Sequence, residues 1–189
     1  MSQYTIALFV GSFRKESWNK KLALALTRLA PEDFAFDPVC VDDLPLYNQD
    51  DDDNQAPPVK RIKDQIRAAD GLLFVTPEYN RSVPGVLKNA IDHASRPYGQ
   101  SAFTGKPAGV IGASIGAIGT AMAQQHLRNI LAYLDVPTLG QPEAFIHATD
   151  ALFDEDGGIG PNSRQFLQDW MDAFADWVRD HAGKQDGTD

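Results

Sequence analysis

Short apolar runs and amphipathic stretches alternate along this chain of 189 residues. The apolar runs are rich in aliphatic and β-branched side chains, which is typical of buried strands. Between them, leucine, isoleucine and alanine recur at three- and four-residue spacing, which predicts helices with one buried face. The predicted strands cover residues 4–10, 34–41, 71–76, 108–113 and 143–148.

The amphipathic stretches predict five helices, several of them bounded by proline or glycine. They centre on residues 22–29, 58–69, 84–95, 127–134 and 163–182. The last helix carries the longest apolar stripe, which we expect to lie in the core. This stripe consists of Phe166, Trp170, Met171, Phe174, Trp177 and Val178.

The strict alternation of strand and helix predicts an α/β fold with a doubly wound parallel sheet. The continuous apolar run at 71–76 indicates a strand covered on both faces. Pro38 interrupts the second predicted strand, which favours an edge position for it. We predict one domain over residues 1–182, followed by a disordered acidic tail at 183–189.

The charge of the chain limits its possible binding partners, and its cysteine content limits its possible disulfides. The chain carries 17 basic and 26 acidic residues, a formal net charge of −9, which disfavours nucleic acids and anionic membranes. No window approaches the about 18 consecutive apolar residues of a membrane helix, and no signal peptide is visible, so we expect a cytoplasmic protein. The single cysteine, Cys40, excludes an intramolecular disulfide, and its apolar neighbours predict that it is buried.

Ligands of doubly wound sheets bind beyond the carboxyl ends of the strands, so the loops that follow the strands hold the candidate chemistry. The first loop covers residues 11–19. Its residues Ser12, Ser17 and Asn19 offer polar hydrogen-bond donors, and Arg14 offers the charged donors of its guanidinium group. A helix start adds free N–H groups, so this loop suits a phosphate. The alternative is that Ser17 only caps the helix and that the basic residues around it are solvated.

The loop after the third strand, residues 76–85, is dense in proline, asparagine and glycine. Such a loop is stiff, and Tyr79 could lie against a flat ring while backbone groups meet its polar edge. The alternative is a tight strand-to-helix turn, capped by Ser82 before Pro84 at the first helical position.

Small residues form the loop after the fourth strand, residues 112–116, and would let a ligand approach the backbone closely. The same stretch also matches the G-x-S-x-G nucleophile elbow of serine hydrolases. Ser114, Asp135 or Asp150, and His147 would then form a triad in the order that such enzymes use.

Two of these loops carry motifs that resemble a known family. The motifs are Gly11-Ser12-Phe13-Arg14 with Ser17-x-Asn19, and Thr76-Pro77-Glu78-Tyr79-Asn80-x-Ser82-x-Pro84-Gly85-x-Leu87-Lys88-Asn89-Ala90-Ile91-Asp92. They resemble the NADPH-dependent FMN reductases, most closely the bacterial quinone and chromate reductases, and the likeness spans about residues 4–148.

The resemblance implies a flavodoxin-like three-layer sandwich, with a five-stranded parallel sheet in the order 2-1-3-4-5. It also implies bound FMN, with the phosphate at the first loop and the flavin ring between residues 77–80 and 113–116, and NADPH or NADH as co-substrate. The implied cofactor-binding residues are Ser12, Arg14, Ser17, Trp18, Asn19, Pro77, Glu78, Tyr79, Asn80, Ala113, Ser114 and Gly116.

The activity implied is hydride transfer from a nicotinamide through FMN to quinones or other small oxidants, chromate among them. Homodimers or homotetramers are usual in such a family. No catalytic side chain and no metal are predicted. A flavodoxin-like electron carrier without NAD(P)H activity is the alternative, and the Ser114 hydrolase is a third hypothesis.

Two residues depart from the family pattern, and both concern the substrate pocket. His93 stands where relatives often carry tryptophan, and Thr120 where many have a second glycine. We expect His93 to be structural, because the four histidines lack metal-ligand spacing. Arg96 is expected to be exposed, although it could reach a partner subunit or an anionic substrate.

Overall fold

The computed structural model describes residues 4–182. Five strands and five helices follow one another, as the sequence predicts, and two short 3-10 helices cover Gln49–Asn54 and Asp150–Leu152. The strands are β1 (Tyr4–Val10), β2 (Phe34–Pro38), β3 (Gly71–Val75), β4 (Ala108–Ser114) and β5 (Phe145–His147). The helices are α1 (Trp18–Thr27), α2 (Pro57–Ala68), α3 (Gly85–Ala94), α4 (Ala121–Tyr133) and α5 (Pro161–His181).

All five strands are parallel and lie in the order β2-β1-β3-β4-β5, so the predicted sheet order and the edge position of β2 are confirmed. Residues of α1 and α5 share one buried core with one face of the sheet. Residues of α2, α3 and α4 share a second core with the other face. The chain order reverses between β1 and β3, which opens a crevice at their carboxyl ends.

Strand β3 shows why a central strand is apolar throughout. All five of its residues are buried. Leu73 and Val75 belong to the α1–α5 core, whereas Leu72 and Phe74 belong to the α2–α4 core. Because successive side chains of a strand point to opposite faces, a strand covered on both faces needs apolar residues at every position.

Two burial predictions were wrong, and both errors concern the periodicity of a short stretch. Cys40 is exposed, because Val39 and Val41 beside it point into the core and leave it facing out. Its thiol donates to a carboxylate oxygen of Asp42 at 2.7 Å, and this bond raises the pKa of the thiol above its ordinary value. Phe166 is 45% exposed, since the buried stripe of α5 runs through Leu167 instead.

One predicted boundary differs from the structure, and another lies outside the described residues. Strand β2 ends at Pro38 rather than at residue 41, and the proline has no N–H to extend the ladder. The acidic tail predicted at 183–189 lies outside the described residues. Within residues 4–182 no helix is long and apolar enough to cross a membrane.

Close packing of α5 on the sheet depends on Gly109 in β4. A Cβ atom at this position would lie 2.6 Å from Cδ2 of Phe174 and 3.2 Å from Cη2 of Trp170. Both aromatic side chains are completely buried and stacked on each other, so they have no room to move. The absence of a side chain at Gly109 therefore sets how closely α5 approaches the sheet.

We predict that Gly109→Ala lowers the free energy of unfolding by about 1–3 kcal/mol, because the added methyl overpacks the core. Urea denaturation followed by circular dichroism measures the change. Gly140→Ala is the matched control, since a Cβ there meets no atom within 4 Å. Its effect should stay within about 0.5 kcal/mol, and equal losses in the two variants would contradict the packing argument.

Candidate functional site

The loops after β1, β3 and β4 meet at the carboxyl ends of these strands and enclose two adjoining cavities. The first cavity, of about 210 Å³, is lined by residues of all three loops, and the second, of about 430 Å³, by residues of the later two. Both contain Glu78 and Ser114, so they form one continuous groove. The first is lined by Ser12, Arg14, Ser17, Trp18, Asn19, Pro77, Glu78, Tyr79, Ala113, Ser114 and Ile115. The second is lined by Glu78, Asn80, Arg81, Ser114, Gly116, Ala117, Ile118 and Gly119.

All twelve residues singled out in the sequence therefore lie on this groove. A larger cavity, of about 580 Å³, lies elsewhere, between α3 and α4. We place the candidate site at the groove, because its position at the reversal of strand order and its unpaired donors are chemical features, whereas size alone is not.

The first loop presents hydrogen-bond donors that the protein itself does not use. In the described chain, the backbone N–H groups of residues 12–16 have no protein acceptor. Ser12 is only 4% exposed, and its hydroxyl lines the first cavity without a protein partner. A hydroxyl that lines a cavity and has no protein partner is available to a polar ligand.

Positive charge surrounds the same loop. Arg14 Nη2 donates to the carbonyl of Glu16 at 2.8 Å, and Lys20 Nζ donates to the carbonyl of Phe13 at 3.3 Å. Lys21 pairs with Glu16 at 2.7 Å, and this bond lowers the pKa of the Glu16 carboxyl. The cations hold the loop in shape while keeping donors available for an anion.

Ser17 and the start of α1 complete the cradle. Ser17 Oγ accepts from Lys20 N at 3.4 Å and so caps the helix, which confirms the capping interpretation. A hydroxyl that accepts in this way still has its own hydrogen to donate, so the cap does not exclude ligand binding. The positive end of the helix dipole points to the same place.

Asn19 has a different contact from the one we expected. Its Nδ2 donates to Ala113 O and its Oδ1 accepts from Ala113 N, both at 2.9 Å, so the amide is not free to meet a phosphate. The N–H and C=O of Ala113 point toward the side where β3 has already ended, because Ile111, two residues earlier, is paired there. The Asn19 amide thus makes the two hydrogen bonds that a peptide group of β3 would make if that strand were longer.

The second loop contains a tight turn. Tyr79 and Ser82 exchange backbone hydrogen bonds of 3.1 and 3.0 Å, and Asn80 and Arg81 between them have φ of 52° and 64°. Asparagine tolerates this left-handed region, whereas for an arginine it costs about 1–2 kcal/mol. The turn prediction is confirmed, but Ser82 does not cap α3, because its Oγ contacts His126 Nδ1 at 2.9 Å.

Glu78 connects the second loop to α4. Its Oε2 accepts from the backbone N–H groups of Met122 and Ala123 at 3.0 and 3.1 Å. The N-cap residue Thr120 makes no side-chain cap of its own, so the carboxylate from another loop serves the start of α4. The two loops that flank the second cavity are thereby held together.

The third loop does not have hydrolase geometry. A nucleophile elbow places its serine on a sharp, strained turn between strand and helix, whereas Ser114 ends β4 without a positive φ and residues 115–120 precede α4. His147 Nε2 lies 3.2 Å from the carbonyl of Ile115, and Ser114 Oγ accepts from Gly116 N at 3.1 Å. Nε2 of His147 therefore donates to a carbonyl, and within residues 4–182 no hydrogen bond joins His147 to Ser114 as a triad requires.

Side chains outside the groove have structural explanations or lie at the surface. His93 is buried, and its Nε2 lies 2.9 Å from the carbonyl of Pro45, as expected for a structural histidine. Among the described residues, only Cys40, Asp42 and Asp43 approach one another closely enough to suggest a metal. All three are exposed, and Asp43 is already paired with Arg61, so nothing further indicates an ion.

Unpaired hydrogen-bond donors of the kind that bind phosphate lie at the reversal of strand order in this sheet. They define a nucleotide-binding protein of the flavodoxin-like fold. The family model for NADPH-dependent FMN reductases matches residues 4–150, and the chain belongs to this family. Membership identifies FMN as the cofactor and NAD(P)H as the co-substrate, and it argues against a pure electron carrier. The resemblance seen in the two sequence motifs is confirmed.

Relatives of known function agree with this assignment. A 2-hydroxy-1,4-benzoquinone reductase of a Burkholderia species is 55% identical over 93% of this chain and 96% of its own length. A quinone reductase of Pseudomonas putida is 52% identical over 95% of this chain and 97% of its own. The structure of the flavoenzyme NAD(P)H:(acceptor) oxidoreductase FerB from Paracoccus denitrificans superposes with a TM-score of 0.90 at 45% identity, covering 94% of this chain and 98% of that one.

The structure adds four residues to the groove that sequence reasoning missed. They are Arg81, Ala117, Ile118 and Gly119. Arg81 falls on the unspecified position after Asn80 in the second motif, and the other three continue a loop of small and apolar residues whose path is not visible in the sequence. Only their nearness to the predicted residues could have singled them out.

We predict that Asn19→Ala lowers the free energy of unfolding by about 2–4 kcal/mol, because it removes two hydrogen bonds and leaves the buried N–H and C=O of Ala113 unpaired. Thermal and urea unfolding measure the loss. Asn162→Ala, at an exposed position of α5, is the matched control and should be nearly neutral. A similar small loss at both positions would show that the Asn19 amide is dispensable.

Proposed function

We propose that FMN occupies the groove, with its phosphate in the first cavity and its ring extending toward the second. The observation that carries this proposal is the row of unused N–H groups at residues 12–16 beside Ser12, which lines the first cavity and has no protein partner for its hydroxyl. A phosphate needs several donors at one place, and this loop supplies them at a helix start.

Each of the candidate residues has a part in the proposed site. Ser12, Arg14 and Ser17 supply donors for the phosphate, Trp18 lines the wall beside them, and Asn19 holds the loop against β4. Gly116 suits a site for a flat ring, since a Cβ there meets only Ser114 Oγ, at 3.5 Å, within the protein. The remaining residues form the walls on either side of the ring: Pro77, Glu78, Tyr79, Asn80, Ala113 and Ser114.

The reaction we propose is the two-electron reduction of a quinone by NAD(P)H. NAD(P)H and one proton convert the quinone to a hydroquinone and leave NAD(P)⁺, and bound FMN supplies the hydride chemistry. Quinones are favoured as acceptors because both curated relatives named above are quinone reductases. Chromate is a further oxidant that we propose for the same open site.

The protein's share of this chemistry is position and polarity. The donors of the first loop anchor one end of the cofactor, while Glu78 holds the second loop to α4. Tyr79 is 49% exposed and stands at the mouth of the first cavity, where a flat ring can lie against it. We propose no acid or base among the side chains, since each groove contact has a positioning role.

We predict that Ser12→Ala and Arg14→Gln each weaken FMN binding by about tenfold to hundredfold, the cost of one charge-assisted hydrogen bond. Fluorescence titration of the flavin-free protein with FMN measures the dissociation constant. Ser163→Ala and Arg67→Gln remove the same chemical groups elsewhere, on α5 and α2, and should leave FMN binding unchanged.

The same preparation tests the proposed activity. The wild-type protein, loaded with FMN, should oxidise NADPH or NADH when benzoquinone is present, and chromate should be tested as a second oxidant. A wild-type chain that gains no flavin absorbance would refute the site, whereas a loaded chain that reduces no quinone would refute only the acceptor.

We further propose that the chain assembles as a homodimer or homotetramer. Tyr98 and Tyr133 are 83% and 77% exposed and line the large cavity between α3 and α4. Around the groove, Ile115 and Ile118 are also exposed, at 75% and 45%. Large apolar and aromatic groups left exposed at the surface are typical of protein interfaces.

Light scattering during gel filtration should therefore give a mass of two or four times the 20.7 kDa of one chain. Tyr133→Asp should shift the protein toward the monomer, because it buries a charge in the interface. Phe166→Asp, at an exposed residue of α5, is the matched control and should not change the mass. A wild-type monomer at working concentration would refute the assembly.

A further inference from the structure

We propose that Arg81 binds a phosphate group of the nicotinamide dinucleotide and so determines the affinity for this co-substrate. The inference rests on the proposed position of the flavin ring in the groove. The activity requires two nucleotides at one place, and the first loop provides for the phosphate of only one of them. Arg81 offers a second anion-binding group on the same groove.

The first observation is that the guanidinium of Arg81 is exposed and has no protein partner within residues 4–182. It is also the only cation among the residues that line the second cavity. The one acid there, Glu78, directs its Oε2 to the N–H groups at the start of α4. An incoming anion therefore meets a free arginine beside a carboxylate that is already hydrogen-bonded.

The second observation concerns the third loop, which lines the same cavity as the turn that carries Arg81. In the described chain, the backbone N–H groups of Ala117 and Ile118 have no protein acceptor. The loop that carries them is held by bonds from Gly116 N to Ser114 Oγ and from Gly119 N to Gly116 O, at 3.1 and 2.9 Å. Free N–H groups on a fixed loop add to the arginine as donors for a phosphate.

The third observation is the backbone of Arg81 itself. Its φ of 64° lies in the left-handed region, where glycine is favoured and a long side chain is strained. The turn would form more easily with glycine at this position. The turn itself therefore gives no reason for an arginine at this position.

Within residues 4–182 the other cations whose side chains have no protein partner are Lys15, Lys60, Arg96 and Arg164, and all four are less suitable. Lys60 and Arg164 line no part of the groove. Lys15 belongs to the first loop but lines neither cavity of the groove. Arg96 lines the large cavity between α3 and α4, away from the second cavity. A dinucleotide must bring its nicotinamide to the flavin, so its phosphates pass over the rim of the groove, where Arg81 lies.

The test compares Arg81→Gln with Arg67→Gln in the FMN-loaded protein. Arg67 carries the same charge, lies in the last turn of α2 outside the groove, and pairs its side chain with Asp64. We expect Arg81→Gln to raise the KM for NADPH about tenfold or more while kcat and FMN content stay near the wild-type values. Arg67→Gln should change none of these quantities.

A binding measurement gives a readout that does not depend on turnover. Calorimetric titration of the loaded protein with NADP⁺ should show the same loss of affinity in Arg81→Gln, and titration with inorganic pyrophosphate should show it if the contact is to the pyrophosphate. Comparing NADPH with NADH then locates the contact. A loss for both nucleotides places Arg81 on the pyrophosphate, whereas a loss for NADPH alone places it on the 2′-phosphate.

Two further variants separate charge from backbone strain. Arg81→Lys keeps the charge and should retain most of the affinity, whereas Arg81→Gly relieves the strain and should lose as much affinity as Arg81→Gln. Unchanged KM and binding in Arg81→Gln, full affinity in Arg81→Gly, or loss of FMN from Arg81→Gln would each overturn the proposal. A wild-type protein that holds no FMN would instead refute the flavin site on which it rests.

Discussion

The contact between the Asn19 amide and the backbone of Ala113 holds the candidate site together. It is buried, doubly hydrogen-bonded and joins residues 94 positions apart. Where β3 ends, the edge of β4 would otherwise present an unpaired N–H and C=O, and the first turn of α1 supplies the missing partner. One side chain thus completes the sheet and fixes the first loop relative to the third loop.

Two more contacts between loops have the same effect on the other side of the crevice. Glu78 fixes the second loop to the start of α4, and Ser82 contacts His126 on that helix. Because the loops are tied by these side chains, their backbones can keep donors unpaired without collapsing onto one another. The site is therefore prepared before a ligand arrives, which lowers the entropy cost of binding.

Strand positions were predictable where burial demands an apolar run, as in β3, which needs one on both faces. The order of the strands in the sheet was implied by the family resemblance. Shorter stretches were less predictable, as Cys40 shows, because the alternation of Val39 and Val41 decides which side it faces. The motifs located the candidate site residues. Their roles depend on distant partners, such as Ala113 for Asn19, and on a backbone angle at Arg81 that composition does not reveal.

The chain has a net charge of −9 and uses phosphate-bearing nucleotides, so the groups that attract the phosphates must lie close to them. Charges at the surface are screened beyond about 8 Å at physiological ionic strength, so acidic residues on other elements have little effect in the groove. What matters there is the set of groups within hydrogen-bond reach: the donors of residues 12–16 and the guanidinium of Arg81. The remaining acid disfavours phosphate polymers, which present many charges over a large surface, without opposing a small nucleotide at the proposed site.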